Sequence, residues 1–229
     1  MENPIVSPYL RSFGRKKSRT LSALKQNALE GNLSGIGITA EYAASVDVIN
    51  PAELFPPQIT RYEMEIGFGS GENLAARAVA YPHTGFIGAE PYINGVASCV
   101  LALRKSACRN VRIWNDDVRP LLATWKKRTL RRIFILYPDP WPKAKHHKKR
   151  LVQSAFLRTL APLLSEDGRI CLVTDHEDYA RHMQEAMETA SDVLTLAPPL
   201  EEDAPHSTKY RIKADAAHRP VFRFDLRAR

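Results

Sequence analysis

A doubly wound, mostly parallel α/β sheet is predicted by three observations. From residue 62 onward, short apolar runs alternate with amphipathic helical patterns. The first run ends in a glycine-rich turn, GFGSG at 67–71, where sheets of this kind hold a ligand at their carboxyl edge. The fourth run, RIFILY at 132–137, is apolar without alternation, as a strand covered on both faces must be.

The elements follow in order. YEMEIG (62–67) is the first strand, and 74–81 a short helix. Residues 85–90 form the second strand. Pro91 suits the first turn of the next helix, whose Ile93, Val96, Ala97, Val100 and Leu101 share one face. Val111–Trp114 is the third strand and 118–127 a helix, then comes 132–137. Val152, Ala155, Phe156, Leu160, Leu163 and Leu164 define a long helix that Gly168 stops. Residues 169–174 are the fifth strand. The helix at 177–190 turns Tyr179, Ala180, Met183 and Met187 inward. Runs at 193–197 and 221–226 complete seven strands, with no internal repeat.

Residues 1–50 show no sustained period. They carry a basic arm and then Gly31, Gly35 and Gly37, and are expected to be extended or partly disordered and to order on binding. Pro51, Pro56 and Pro57 mark the entry to a single domain, 51–229. The length of 229 residues suits one good-sized core and is short for two.

Hydrophobic content of 44% and charged content of 25% are those of an ordinary soluble globular protein. No apolar run reaches bilayer length, and residues 1–10 are too polar for a secretory signal. A cytoplasmic protein without a membrane partner is expected. Cys99, Cys108 and Cys171 form no CxxC pair, and their odd number argues against a disulfide framework. Cys99 and Cys171 lie in apolar stretches and read as core residues.

The net charge of +8 is clustered: Arg11 to Lys25, Lys126 to Arg132, and Lys143 to Arg150 with His146 and His147. Any one cluster could be a solubilising surface. Several together, with aromatic residues nearby, point to nucleic acid.

GxGxG after a strand puts bare backbone beside a ligand. No GK[ST] follows, which excludes a P-loop. Glu72 stands where the dinucleotide fingerprint needs its third glycine, and it disfavours a pyrophosphate. A nucleoside with a cationic amino-acid tail suits Gly67, Gly69, Gly71 and the upstream Glu65 better. Glu90 ends the second strand and can accept from ribose hydroxyls. Asn115, Asp116 and Asp117 end the third, beside an adenine edge. Each acid alone could be a helix cap. Together beside GxGxG they indicate S-adenosylmethionine.

The fourth strand runs into Tyr137-Pro138-Asp139-Pro140-Trp141-Pro142-Lys143. Three prolines in five residues make a rigid, extended loop. It holds one carboxylate, able to accept from the donor edge of a base, and one indole, able to stack on it. The basic run 143–150 then offers phosphate contacts.

On these residues the chain resembles the bacterial tRNA (guanine-N7-)-methyltransferases. The shared parts are Arg11-Ser12-Phe13, EIGFGSG (65–71), GAE (88–90), PDPWPKAKHHKKR (138–150), TDHEDYA (174–180) and TKY (208–210). The resemblance implies a Rossmann-like methyltransferase fold and methylation of guanine 46 in the variable loop of tRNA. It further implies cofactor binding by Glu65, Glu90, Asp117 and Asp139, with Asp139 at the active site touching cofactor and base. Substrate binding would fall to Lys143, Asp175 and the late motif of Thr208, Lys209, Tyr210 and Arg211.

Arg211 departs from the family, which usually has glutamate there. The glycine-rich stretch that normally follows is replaced by 213–218, where Asp215 is a candidate for the missing carboxylate. His176 and His182 have no recognised zinc spacing, so no metal is expected. A monomer is favoured over a homodimer. Two rival readings stay open: a methyltransferase acting on another acceptor, and a non-catalytic RNA-binding protein that keeps the fold.

Overall fold

All six residues of Thr84–Ala89 are buried, and so are all but the first of Arg61–Ile66. Strands enclosed on both faces need helices above and below, and the chain supplies them in alternation. The computed structural model describes residues 20–201 and 204–229. The elements are α1 (Ala23–Ile36), α2 (Ala40–Ser45), α3 (Pro51–Leu54), β1 (Arg61–Ile66), α4 (Glu72–Ala80), β2 (Thr84–Ala89), α5 (Ile93–Lys105), β3 (Val111–Trp114), α6 (Val118–Thr124), β4 (Leu130–Leu136), α7 (Ser154–Leu160), β5 (Leu164–Thr174), α8 (Glu177–Thr189), β6 (Leu194–Ala197), α9 (Lys209–Ala216) and β7 (Phe222–Ala228).

Among the described residues the strands form one seven-stranded sheet in the order β3-β2-β1-β4-β5-β7-β6. β1 to β5 pair in parallel, and β7 runs antiparallel to both β5 and β6. The order reverses between β1 and β4, which opens a crevice at their carboxyl ends. Alternation along the strands divides the core. Met64, Ile87, Ile133 and Leu172 face a layer with Phe156, Tyr179 and Met183. Phe86 and Ile113 meet Leu74, Val96 and Val100 on the other side. No helix among the described residues is long and apolar enough to cross a membrane.

Four local differences from the sequence reading have physical reasons. Helix α1 occupies part of the segment expected to be extended, with Ala28 fully buried in the cluster that holds Val96 and Val100. Residues Arg11, Ser12, Phe13, Arg15, Lys16, Lys17 and Arg19 lie outside the described residues. The helix expected from 152 to 164 ends at Leu160, because Pro162 admits only a short 3-10 turn, Ala161–Leu163. Gly168 therefore lies inside β5, at the irregularity between the Leu130–Leu164 and Arg132–Arg169 pairs. A Cβ there would come within 2.7 Å of the Leu130 carbonyl oxygen. Pro91 precedes α5 rather than opening it: the helix starts at Ile93, after the Glu90 carboxylate has taken the Tyr92 N–H. Finally, Arg132 is buried and donates to the Asp167 carbonyl, so it is no part of a phosphate-facing cluster.

Candidate active site at the carboxyl edge of the sheet

At the end of β1 the chain turns through Gly67, Gly69 and Gly71 with φ of +77°, +57° and +81°. This left-handed region is costly for any residue with a Cβ. The glycines differ in their surroundings. A Cβ on Gly71 would lie 2.3 Å from the Cys99 sulfur, whereas one on Gly67 would meet nothing within 4 Å. Gly71 is thus required for packing against α5, and Gly67 for an open approach. Cys99 and Cys171 are both buried, as their apolar surroundings predict.

The turn borders a cleft of about 850 Å³ whose rim includes Glu90, Asp116, Asp117, Asp139, Trp141 and Tyr210. Glu90 accepts from the Gly69 N–H and the Tyr92 N–H, each at 2.8 Å, and so ties the glycine turn to the end of β2. Burial pushes its carboxyl above the usual carboxylate range, with the charge of Asp139 adding to the effect. Glu65 sits behind the turn rather than on the cleft wall. It is buried, accepts from the Asn73 amide at 3.0 Å, and is pushed up to about 8 by desolvation. Asp117 caps α6 by accepting from the Arg119 N–H and pairs with the Arg119 guanidinium at 2.7 Å.

The proline loop enters the cleft from β4. Tyr137 and Trp141 hold φ of +51° and +43° without being glycine, a strained geometry that surrounding contacts must enforce. The Tyr137 N–H is fixed by the Val173 carbonyl at 2.8 Å, and Arg150 holds the loop beside Trp141. The Arg150 Nε donates to the Pro140 carbonyl at 2.9 Å, its Nη2 pairs with Asp178, and its guanidinium lies 5.0 Å over the Tyr179 ring. Arg150 is buried, so the phosphate-facing run expected at 143–150 stops short of it. Trp141 packs edge-on with His146 and lies under the Lys149 ammonium at 4.7 Å. Asp139 is exposed on the cleft rim. Lys143 is exposed and immediately precedes the 3-10 turn Ala144–Lys149, outside the cleft lining.

Helix α9 closes the other side. Thr208 caps it by accepting from the Arg211 N–H at 3.2 Å. The Tyr210 ring stacks on Tyr137 with centroids 6.0 Å apart. Arg211 reaches both Asp215 oxygens at 2.9 Å, so Asp215 answers Arg211 instead of standing in for a glutamate. Asp175 is held by Arg219 at 2.6 Å. Lys209, expected with the substrate residues, sends its ammonium to the Ser70 hydroxyl on the glycine turn. Sequence reasoning gave no site role to Ser70, Arg219 or Lys25; the Lys25 ammonium, read there only as part of a basic cluster, reaches the Asn94 carbonyl at 3.3 Å on the cleft wall. No local signal gives these roles, since each contact joins residues distant in the chain.

A family model described as "Putative methyltransferase" matches residues 60–224. A tRNA (guanine-N(7)-)-methyltransferase of Nitrobacter winogradskyi is 37% identical over 81% of this chain and 71% of its own length. One from a Caulobacter species is 42% identical over 75% and 73%. Among solved structures, an aminoglycoside resistance methyltransferase shares the fold, with a TM-score of 0.54 at 16% identity, over 77% of this chain and 93% of its own.

Proposed function

The chain belongs to the tRNA (guanine-N7-)-methyltransferase family, and on that premise we propose that it methylates N7 of guanine 46 in the tRNA variable loop, using S-adenosylmethionine. One observation carries the reading: the left-handed glycine turn tied to Glu90 and the proline loop bearing Asp139 open onto the same cleft.

The residues present fit the cofactor. A Cβ on Gly67 would meet no protein atom, so the turn leaves room for a ligand against bare backbone. Gly67 and Gly69 would pass along the ligand, Glu90 would accept from its ribose, and Asp116 and Asp117 would face its base, with Gly71 and Glu65 supporting the turn from behind. When bound, S-adenosylmethionine supplies a methyl group on a positively charged sulfur.

Guanine N7 has a free lone pair and no proton to lose, so the chain needs no general base. Its work is to hold N7 in line with the methyl group and to balance charge. Asp139, exposed on the cleft rim, would serve both tasks. Lys143, Asp175, Thr208, Tyr210 and Arg211 would hold the RNA around it, with the Tyr137–Tyr210 stack as a platform for the base. The enzyme would act as a cytoplasmic monomer, with the basic N-terminal run from Arg11 to Lys25 adding to the RNA contacts.

The test is incubation with labelled S-adenosylmethionine and unmodified tRNA, followed by borohydride and aniline, which cut the chain at 7-methylguanine. A cut at the variable-loop guanine is expected. Label in RNA without that cut would move the reading to another acceptor atom.

A further inference from the structure

The cleft rim is rich in acids: Glu90, Asp116, Asp117 and Asp139 all line it. The amino-acid tail of S-adenosylmethionine carries one ammonium and one carboxylate. Carboxylates suit the ammonium and the ribose hydroxyls, but they repel the tail's own carboxylate, which is held most strongly by a cation. Lys25, Arg119, Lys149 and Lys209 are the cations on the cleft lining. Arg119 is paired with Asp117. Lys149 lies over Trp141 in the proline loop. Lys25 is engaged at the Asn94 carbonyl on α5.

Lys209 stands on the glycine turn itself. Its ammonium bonds the Ser70 hydroxyl, lies 4.0 Å from the Glu72 carboxylate, and is 3.9 Å from where a Cβ on Gly69 would be. It is the first residue of α9, and the Thr208 cap fixes the helix start from which it projects. The direction that Gly69 leaves open is therefore the direction in which this ammonium waits.

On the cofactor reading above, we propose that Lys209 is a cofactor-binding residue whose ammonium takes the carboxylate of the S-adenosylmethionine tail. Helix α9 then serves both ligands: Lys209 turns to the cofactor, and Tyr210 and Arg211 remain with the RNA. The Ser70 hydroxyl keeps the ammonium on the turn before the ligand arrives.

The experiment is calorimetric binding without RNA. It compares S-adenosylhomocysteine, which keeps the tail, with 5′-methylthioadenosine, which lacks it, on the wild-type protein, Lys209→Met and Lys209→Arg. A lost charge-assisted bond weakens S-adenosylhomocysteine roughly ten- to hundredfold in Lys209→Met. Binding of 5′-methylthioadenosine stays unchanged, which also shows that the variant site is folded. Lys209→Arg restores most of the loss. Equal S-adenosylhomocysteine affinity in Lys209→Met and wild type overturns the proposal and returns Lys209 to the RNA. An equal loss for both nucleosides overturns it too, because the effect would not belong to the tail. Wild-type protein that binds neither nucleoside overturns the cofactor reading itself, a result distinct from both.

Discussion

The Arg150 guanidinium holds the Pro140 carbonyl at 2.9 Å and at the same time pairs with Asp178 at the start of α8. A buried cation thus ties the strained proline loop to the sheet-covering helix. Arg150→Met keeps much of the volume and removes both bonds. It is expected to lower stability by roughly 1–3 kcal/mol, below the cost of breaking a fully buried pair because Asp178 is partly exposed. Methyl transfer should fall more steeply, while S-adenosylhomocysteine affinity holds. Urea denaturation alongside single-turnover kinetics checks this. Unchanged turnover in a destabilised variant would show that the loop keeps its shape without Arg150.

Gly67 and Gly71 share a left-handed φ but not a neighbourhood. Gly71→Ala drives a Cβ into Cys99, including its backbone Cα at 3.2 Å, and should cost stability beyond the roughly 1–2 kcal/mol of left-handed strain. Gly67→Ala meets no protein atom, so it should cost only the strain and lose most nucleoside binding. Thermal melts with and without S-adenosylhomocysteine separate the two. Full ligand stabilisation of Gly67→Ala would remove that glycine from the cofactor surface.

The legible parts of this fold are those where one local signal decides. β4 reads as a continuous apolar strand from Ile133 to Leu136, whereas β1 is equally buried but carries Glu63 and Glu65 and is marked by the glycine turn that ends it. The glycine turn, Glu90 and Asp139 sit at strand ends, where position implies role. Charge, by contrast, does not reveal burial: Arg132 and Arg150 look like phosphate ligands in sequence and are internal struts in the structure. Leu163 and Leu164 fit a helix or a strand equally well, and Pro162 was the deciding residue. Helix α1 carries glycines at 31 and 35, which mask its pattern, and it is fixed by burial of Ala28 against another element. The Lys209–Ser70 bond joins residues 139 apart in the chain, so only the closed fold brings it into view.

Glu65 should leave a signature in the pH dependence of stability. Burial raises its carboxyl from the ordinary 4.5 to about 8. Between those values the folded chain keeps a proton that the unfolded chain has lost, so stability falls as pH rises through this window, by up to about 1.4 kcal/mol per pH unit from this group. Above about pH 8 the loss levels off. Glu65→Gln keeps the shape and the Asn73 contact without the titration. Relative to wild type, the variant should gain stability from about pH 5 to about pH 8 in urea denaturation. Parallel stability curves would mean that Glu65 is ionised in the folded state.

Asp139 is exposed on the cleft rim, opposite Glu90, whose carboxyl its charge helps to raise. A residue that balances charge only as the methyl group moves should matter to the transition state and little to the ground state. Asp139→Ala is therefore expected to lower kcat by a hundredfold or more, roughly the scale of losing one preorganised electrostatic group. S-adenosylhomocysteine binding and thermal stability should stay near wild type, since the cleft is also held by the glycine turn and Glu90. Asp139→Asn keeps an acceptor oxygen but loses the charge. If charge is what Asp139 contributes, Asn fares no better than Ala; if it only accepts from the base, Asn recovers much of the rate. Single-turnover methylation by the two variants decides between these roles, and near-normal rates in both would remove Asp139 from the reaction.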